Sequence, residues 1–374
     1  MKKPIYLDYN ATTPILEEVA DAMKPYLYEH FGNPSSSHIY GQKTKKAIDK
    51  ARKQVADLLN CSVDEIVFTS GGSESNNYAI KGYAFANKHK GNHIITSLIE
   101  HPAVLEVCRF LETQGFEVTY LPVNSNAVVE ESVFEAAIKP NTILATIMHA
   151  NNEVGVIQPI KELAEIAHKN RIIFHTDAAQ SVGKIATDVQ EMGVDMMSIA
   201  AHKFYGPKGI GALYIKKGTV LQKLIHGANH ERNLRAGTEN IIEIVGLGKA
   251  AEIAKNILPA SIIHNSLLIS IFESSLKTNI PNIIFNGQTV RRLPNTSSVS
   301  IPNVEANVLL DKLDGIAASA GAACHSENIE VSTVLEAMKL PIKYAMGTIR
   351  FSIGFYTTKE DIEVCINMLK KAIM

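Results

Sequence analysis

The chain is short of charge imbalance, of paired cysteines and of unbroken apolar runs, and each shortage removes a class of function. Its 37 Lys and Arg against 38 Asp and Glu leave a net charge of -1, which gives no electrostatic case for nucleic acid or an anionic membrane surface. The four cysteines, Cys61, Cys108, Cys324 and Cys365, are far apart and form no C-x-x-C pair. That argues against a zinc site and against a disulfide framework, so no metal is expected. A cysteine that matters here matters alone, as a thiolate. The opening MKKPIYLDYN has two lysines but neither an apolar core nor a cleavage site, and is not read as a secretory signal. The most apolar later stretch, ILPASIIHNSLLISIF, is interrupted by Pro259, His264 and Asn265 and is not read as a membrane span. The cytoplasm is the expected compartment.

At 374 residues, 46% of them apolar, the chain is long enough for two cores. Short runs rich in β-branched residues alternate with helical patterns: EIVFTS, HIITSL, EVTYLPV, TILATIM, IIFHTD, MMSIAA and GALYIK, with SNNYAIKGYAFANKH and IKELAEIAHKN among the helices. Apolar runs that do not alternate, separated by amphipathic helices, predict a mostly parallel sheet covered on both faces. After about residue 260 the texture changes to NIIFNG, NTSSVSI, GIAASAG and TIRFSIG, closed by the helical TKEDIEVCINMLKKAIM. The expected organisation is an α/β large domain over residues 15–260, with a smaller α+β domain made of residues 1–14 and 261–374. There is no internal repeat and no low-complexity segment.

In such sheets ligands gather at the carboxyl ends of the strands, and the reactive residue types follow the strands here. Lys203, in HKFYGP, comes directly after a predicted strand. A buried lysine loses its charge readily and becomes a nucleophile toward aldehydes. Asp177, in HTDAAQ, suits a pyridinium nitrogen, with Gln180 one turn along, although a lone Asp there also suits a helix N-cap. In FTSGGSESNN, Gly71 and Gly72 let backbone amides approach an anion, and Ser73 adds a donor at a helix N-terminus. The stretch lacks the lysine and the spacing of a nucleoside triphosphate loop. His101, in IEHPAV, can stack on a ring or move a proton, and Asn152, in HANNEVG, can bond a phenolic oxygen. Aldehyde-trapping lysine, pyridinium partner, anion cradle and stacking imidazole together describe a pyridoxal phosphate site.

The motifs YLDYNATTP, FGNPSS, FTSGGSESNN, HTDAAQ, HKFYGP, RAGTEN, GAACHS and IRFSIG run nearly the whole length of the chain. In this order they resemble the class V aminotransferase group of pyridoxal phosphate fold type I, and within it the cysteine desulfurases and selenocysteine lyases. The resemblance implies a large domain on a seven-stranded, mostly parallel sheet. It implies that Lys203 binds the cofactor aldehyde, Asp177 pairs with the ring nitrogen and His101 stacks on the ring. Asn152 and Gln180 would lie near its substituents, and Gly72, Ser73 and His202 would hold the phosphate. Thr238 would reach the phosphate of a neighbouring subunit, which implies a homodimer. Cys324, in a small-residue stretch suited to a mobile loop, would be the thiol that meets the chalcogen. Arg350 would clamp the substrate carboxylate, for which its planar fork is better suited than lysine, and Asn10 and Asn33 would line the substrate end.

Two details lean toward a selenocysteine lyase that releases alanine and selenium. GAACHS and HKFYGP are closer to that enzyme, and Ala200 stands where desulfurases usually carry a phosphate-binding hydroxyl. Pro102, where animal selenocysteine lyases carry an acid, points the other way. The alternative is a cysteine desulfurase passing persulfide to a protein acceptor for iron–sulfur or thio-cofactor synthesis. A dinucleotide fold is disfavoured: GLGKAA, residues 246–251, has no strand-ending acid about 20 residues on. An ordinary transaminase needs no thiol, and a scaffold without chemistry would not need Lys203, Asp177, His101 and Cys324 intact.

Overall fold

The computed structural model describes residues 4–325 and 328–373, with the side chains of residues 322–330 outside that description. Its first eight strands are β1 (Ile5–Tyr6), β2 (Ile66–Thr69), β3 (His93–Ser97), β4 (Glu117–Leu121), β5 (Thr142–Thr146), β6 (Ile173–Asp177), β7 (Met196–Ala200) and β8 (Gly211–Ile215). All but β1 form one seven-stranded sheet in the order β2-β8-β7-β6-β5-β3-β4. Only β8 opposes its neighbours, so the other six run the same way and end on the same edge. The seven predicted runs are the seven strands.

Their composition explains the burial. Strand residues alternate between two apolar clusters: Ile94, Leu144, Met196 and Leu213 face one, while Ile95, Ala145, Met197 and Ala212 face the other. The first layer is closed by Tyr78, Ile80 and Tyr83 of helix Gly72–Asn87 and by Val104 and Val107 of helix Pro102–Thr113. The second is closed by helices Ile39–Leu59, Ile160–Lys169 and the start of Ile241–Asn279. With helices on both sides no face needs polar residues, which is why the strands read as continuous apolar runs.

The remaining strands are β9 (Ile284–Phe285), β10 (Thr296–Ser300), β11 (Ile316–Ala317), β12 (Ser319–Ala320), β13 (Ala322–His325), β14 (Asn328–Val331) and β15 (Thr348–Ser352). An antiparallel sheet, β12-β15-β10-β9, packs on helix Lys359–Ile373 through Phe351, Ile349, Ile362, Ile366 and Leu369. Leu7 joins this core, and β1 pairs with β11, so the N-terminal residues cross to the C-terminal part of the chain. β13 and β14 form a hairpin, which gives the backbone of Cys324 a strand partner in Ile329 where a loop was expected.

Helix Ile241–Asn279 is long and apolar enough to cross a membrane by length and composition. It instead supplies Ile244 and Leu247 to the large core and Leu268, Phe272 and Leu276 to the small one. It runs unbroken past Pro259, so the expected division at residue 260 falls inside a single helix.

The sheet edge at β2 is held by a buried ion pair. Arg52 donates through Nη1 and Nη2 to Glu231 at 2.7 and 2.6 Å, and Glu231 also accepts from the backbone N–H of Phe68 at 2.9 Å. Residues 231–233 all carry positive φ values, of 47°, 55° and 67°. Three such non-glycine residues in a row are strained and need an anchor, which this pair provides. Glu231→Gln leaves the Arg52 guanidinium buried without its counter-charge. It should lower unfolding stability by about 3–5 kcal/mol in chemical denaturation.

Candidate active site

The carboxyl ends of β2, β3, β5, β6 and β7 open into a cavity of about 360 Å³. It is lined by Asn10, Gly72, Ser73, Asn76, His101, Asn152, Asp177, Gln180, Ala200, His202, Lys203 and Arg350, among others. Of the site residues singled out from sequence, Gly71, Asn33, Thr238 and Cys324 are not among those lining the cavity. Asn33 is exposed, and its Oδ1 accepts from the Ser35 N–H at 2.9 Å, shaping its own turn. Thr238 is exposed away from the cavity of its own chain. The side chain of Cys324 lies outside the described residues.

Lys203 stands in a short turn directly after β7. Its Nζ donates to the carbonyls of Asn10 and Ala11, both at 2.8 Å. Burial lowers its pKa from 10.5 to about 8; Arg350 lowers it further, while Asp177 and Asp8 oppose the shift. A substantial fraction of a lysine so placed is neutral near pH 7–8, the form that attacks an aldehyde.

Asp177 ends β6 and is almost fully buried. Its Oδ2 accepts from Asn76 Nδ2 at 2.7 Å and its Oδ1 from the Ala179 N–H at 2.9 Å. The helix that follows β2 begins at Gly72 with no side-chain cap. Its first-turn N–H groups are the unpaired donors that bind anions, and the cavity reaches them at Gly72 and Ser73. Gly71 has φ 148°, which a side chain would strain, and a Cβ on Gly72 would come 3.3 Å from that of Ala200. Glu74, an acid in that first turn, is bonded by Arg235 at 2.9 and 3.2 Å and by the Ser70 N–H at 2.7 Å. Burial raises its pKa, but these bonds more than offset that and hold it below the ordinary value.

His101 caps helix Pro102–Thr113, its Nδ1 accepting from the Ala103 N–H at 3.1 Å. A neutral imidazole with Nδ1 so occupied carries its proton on Nε2. Enclosure lowers its pKa, with Asp177 opposing and Lys203 adding to the shift. His202, with Nδ1 3.1 Å from Thr12 Oγ1, is pushed down to about 4 by burial and by Lys203, Lys208 and Lys184. Both rings are therefore neutral at pH 7. At the opposite side Arg350 donates to Asp8 at 2.6 Å, to Ser319 Oγ at 2.8 Å and to the Asn152 carbonyl at 3.0 Å. An arginine has five N–H donors, and these contacts use three, leaving one hydrogen on Nη1 and the buried Nε–H.

A buried amine, a buried carboxylate, an uncapped helix N-terminus and an arginine share one polar cavity. This donor set fits an aromatic aldehyde phosphate carrying a ring nitrogen, and the buried Asn76 Oδ1, without a partner among the described residues, is a further acceptor beside it. Asn76 escaped the sequence reading. Its signal was spacing, since it lies four residues after Gly72 on the same helix face.

Glu100, beside His101, also escaped it. It is fully buried behind Asp177, with its Oε1 accepting from Ser97 Oγ at 2.6 Å and from the Met148 N–H at 2.9 Å. Burial pushes its pKa from 4.5 up to about 8; the two bonds oppose this and Asp177 adds to it. In the unfolded chain a glutamate ionises near ~4.3. The folded protein keeps the proton until about pH 8, so it loses stability as pH rises across that window. Glu100→Gln keeps the acceptor and has no proton to lose. It should flatten that decline and be more stable than the parent at pH 8, by at least about 1 kcal/mol in chemical denaturation.

Residues 5–365 match the class-V aminotransferase family. A cysteine desulfurase IscS from Dictyoglomus turgidum is 51% identical over 375 residues, covering 100% of this chain and 95% of that protein. A solved NifS-like protein superposes with a TM-score of 0.93 at 38% identity, over 99% of both chains. A structure described as SspA in complex with cysteine has a TM-score of 0.83 at 40% identity, over 95% of this chain and 100% of that one. These relatives do not support the leaning toward selenocysteine drawn from GAACHS, HKFYGP and Ala200; they favour the desulfurase alternative. With its match extending over nearly the whole length, this chain belongs to the class-V aminotransferases, enzymes that depend on pyridoxal phosphate.

Proposed function

We propose that this protein is a cysteine desulfurase, which converts L-cysteine to L-alanine and passes the sulfur on as a persulfide. The observation that carries the reading is the convergence of Lys203, Asp177 and Arg350 on one cavity. Relatives named cysteine desulfurase, 46–51% identical over at least 99% of this chain, favour cysteine as substrate.

Bound pyridoxal phosphate supplies an electron sink for the substrate α-carbon. Lys203 Nζ would hold the aldehyde carbon and, as a neutral amine, takes the proton from the substrate Cα. Asp177 would keep the ring nitrogen protonated, and His101 would pack on the ring. Gly72, Ser73 and His202 would hold the phosphate, joined by Thr238 from a second subunit, with Asn152 and Gln180 toward the ring substituents. Arg350 binds the α-carboxylate, with Asn10 and Asn33 toward the substrate end. The substrate Cβ–S bond breaks as an S–S bond forms to Cys324. Of the protons, one ends on the alanine methyl group and one on the persulfide.

The thiols the structure describes favour Cys324 for this step. Burial raises Cys61, Cys108 and Cys365 to about 12, with Glu65 and Asp57 adding at Cys61 and Glu100 and Glu112 at Cys108. None of the three offers a thiolate at neutral pH. Persulfide chemistry needs a reducing compartment, which favours the cytoplasm. A homodimer is favoured by the exposed apolar side chains Leu27, Tyr28, Phe31, Ile39 and Tyr40, which a second copy would cover. The two-domain division stands as part of this reading, residues 15–260 carrying the cofactor and residues 1–14 and 261–374 carrying the thiol.

Two measurements test the assignment. The purified protein should be yellow and release alanine from cysteine in the presence of a thiol, and Cys324→Ala should lower that rate by at least about 100-fold. Absence of alanine from cysteine, or preferential turnover of selenocysteine, overturns the reading. In the cofactor-free protein, acylation of Lys203 followed by mass spectrometry should titrate with a midpoint near pH 8. The reactive fraction should rise from about one-tenth at pH 7 to about nine-tenths at pH 9.

A further inference from the structure

A second lysine lies behind the cavity. Lys184 is buried on a turn that follows the helix-like residues after β6, and it does not line the cavity. Its Nζ donates to Asn10 Oδ1 at 2.9 Å and to Gln180 Oε1 at 2.7 Å. Burial, Lys203 and Arg350 all lower its pKa well below the usual lysine range. A neutral amine has two hydrogens, which matches these two acceptors.

The two bonds set the polarity of both amides. Gln180 receives Lys184 at Oε1, and its Nε2 donates to the Asn10 carbonyl at 2.9 Å. Its remaining Nε2–H is then the group it can offer to the cavity. Reversing the amide would set its oxygen against the Asn10 carbonyl and take from a Lys184 N–H its acceptor. Asn10 receives Lys184 and Asn295 at Oδ1, so its Nδ2 donates to the Asn152 carbonyl and to Thr296 Oγ1. The carbonyl of the same Asn10 accepts from Lys203 Nζ. The turn itself is held against the Lys203 turn: Gly183 has φ 75°, and a Cβ there would lie 2.7 Å from that of Phe204.

We propose that Lys184 is a positioning residue for the reaction: it fixes Gln180 with a donor toward the cavity and Asn10 with its carbonyl toward Lys203, and acts through them. This rests on the desulfurase reading for its substrate, and on the family for its cofactor.

The test is a double-mutant cycle of Lys184→Met and Gln180→Ala on the holoenzyme, with Lys184→Gln as the variant that restores side-chain donors. Three quantities are read: kcat and KM for alanine formation from cysteine, the ratio of yellow to near-ultraviolet absorbance of the bound cofactor, and the Kd of the apoprotein for pyridoxal phosphate. Lys184→Met is expected to lower kcat about 10-fold with KM changed less than about 2-fold, and to shift the absorbance ratio. The double variant should be no worse than Gln180→Ala alone, because the two residues act in series. Lys184→Gln should recover part of both losses. The proposal is overturned if Lys184→Met keeps the parent absorbance ratio and kcat, or if the double variant multiplies the two single losses. Where Lys184→Met yields no folded protein, the same cycle with Lys184→Gln decides by the same additivity. A parent protein that is yellow but makes no alanine sinks the desulfurase reading, while the absorbance and affinity cycle still judges Lys184.

Discussion

The site depends on six residues near the N-terminus, DYNATT, laid across the seam between the two sheets. Asn10 is the hub: its N–H donates to Ser352 Oγ, its carbonyl receives Lys203 and Gln180, and its side chain meets Lys184, Asn295 and Thr296. Thr13 accepts from Tyr205 and, with its own N–H and hydroxyl, bonds the His202 carbonyl, while Asp8 takes Arg350. Every partner is more than 140 residues away in sequence. Buried polar groups are costly unless satisfied, so this segment finds its place only when both sheets are formed. The amine and the guanidinium, carried by different sheets, are thus brought to one cavity by a strap that belongs to neither loop.

Charge explains why that cavity can work in near-neutral water. Lys203, Lys184 and Arg350 sit close together, balanced only in part by Asp177 and Asp8, and enclosure strengthens each repulsion. Burial first, and then the neighbouring positive charges, shift both lysines toward the neutral amine. Glu100 answers the same pressure from the acid side, staying protonated behind Asp177. Burial thus pushes an acid and a base in the same region each toward its uncharged form.

Much of this was legible in the chain. The seven strands were readable because burial on both faces makes them apolar without alternation, and Lys203, Asp177, Gly72 and His101 because reactive types follow strand ends. Other features were not. Nothing in QSVGK distinguishes Lys184 from a surface lysine, since its burial is decided by Asn10, 174 positions away. Glu100 was likewise not singled out, since its burial is set by its place behind Asp177 and against Met148. The composition changes near residue 260 because the core changes there, while helix Ile241–Asn279 crosses from one core to the other without a break. Asn33 and Thr238 are exposed in the single chain, so nothing in its own packing marks them as site residues.

The leaning toward selenium has a physical lesson. It rested on letters around a thiol and a lysine, yet the choice of chalcogen is a question of protonation. A cysteine thiol titrates near ~8.5 and reaches the site mostly protonated. An enzyme acting on it needs a group able to take that proton. His101 offers Nε2–H to the cavity as long as the Ala103 N–H occupies Nδ1, and so presents a donor. Lys203, with its pKa near 8, is a group in the cavity able to exist in either protonation state near neutral pH. The lowered lysine that makes aldehyde capture possible is thus also the property on which a protonated thiol substrate would draw, and no motif spells it out.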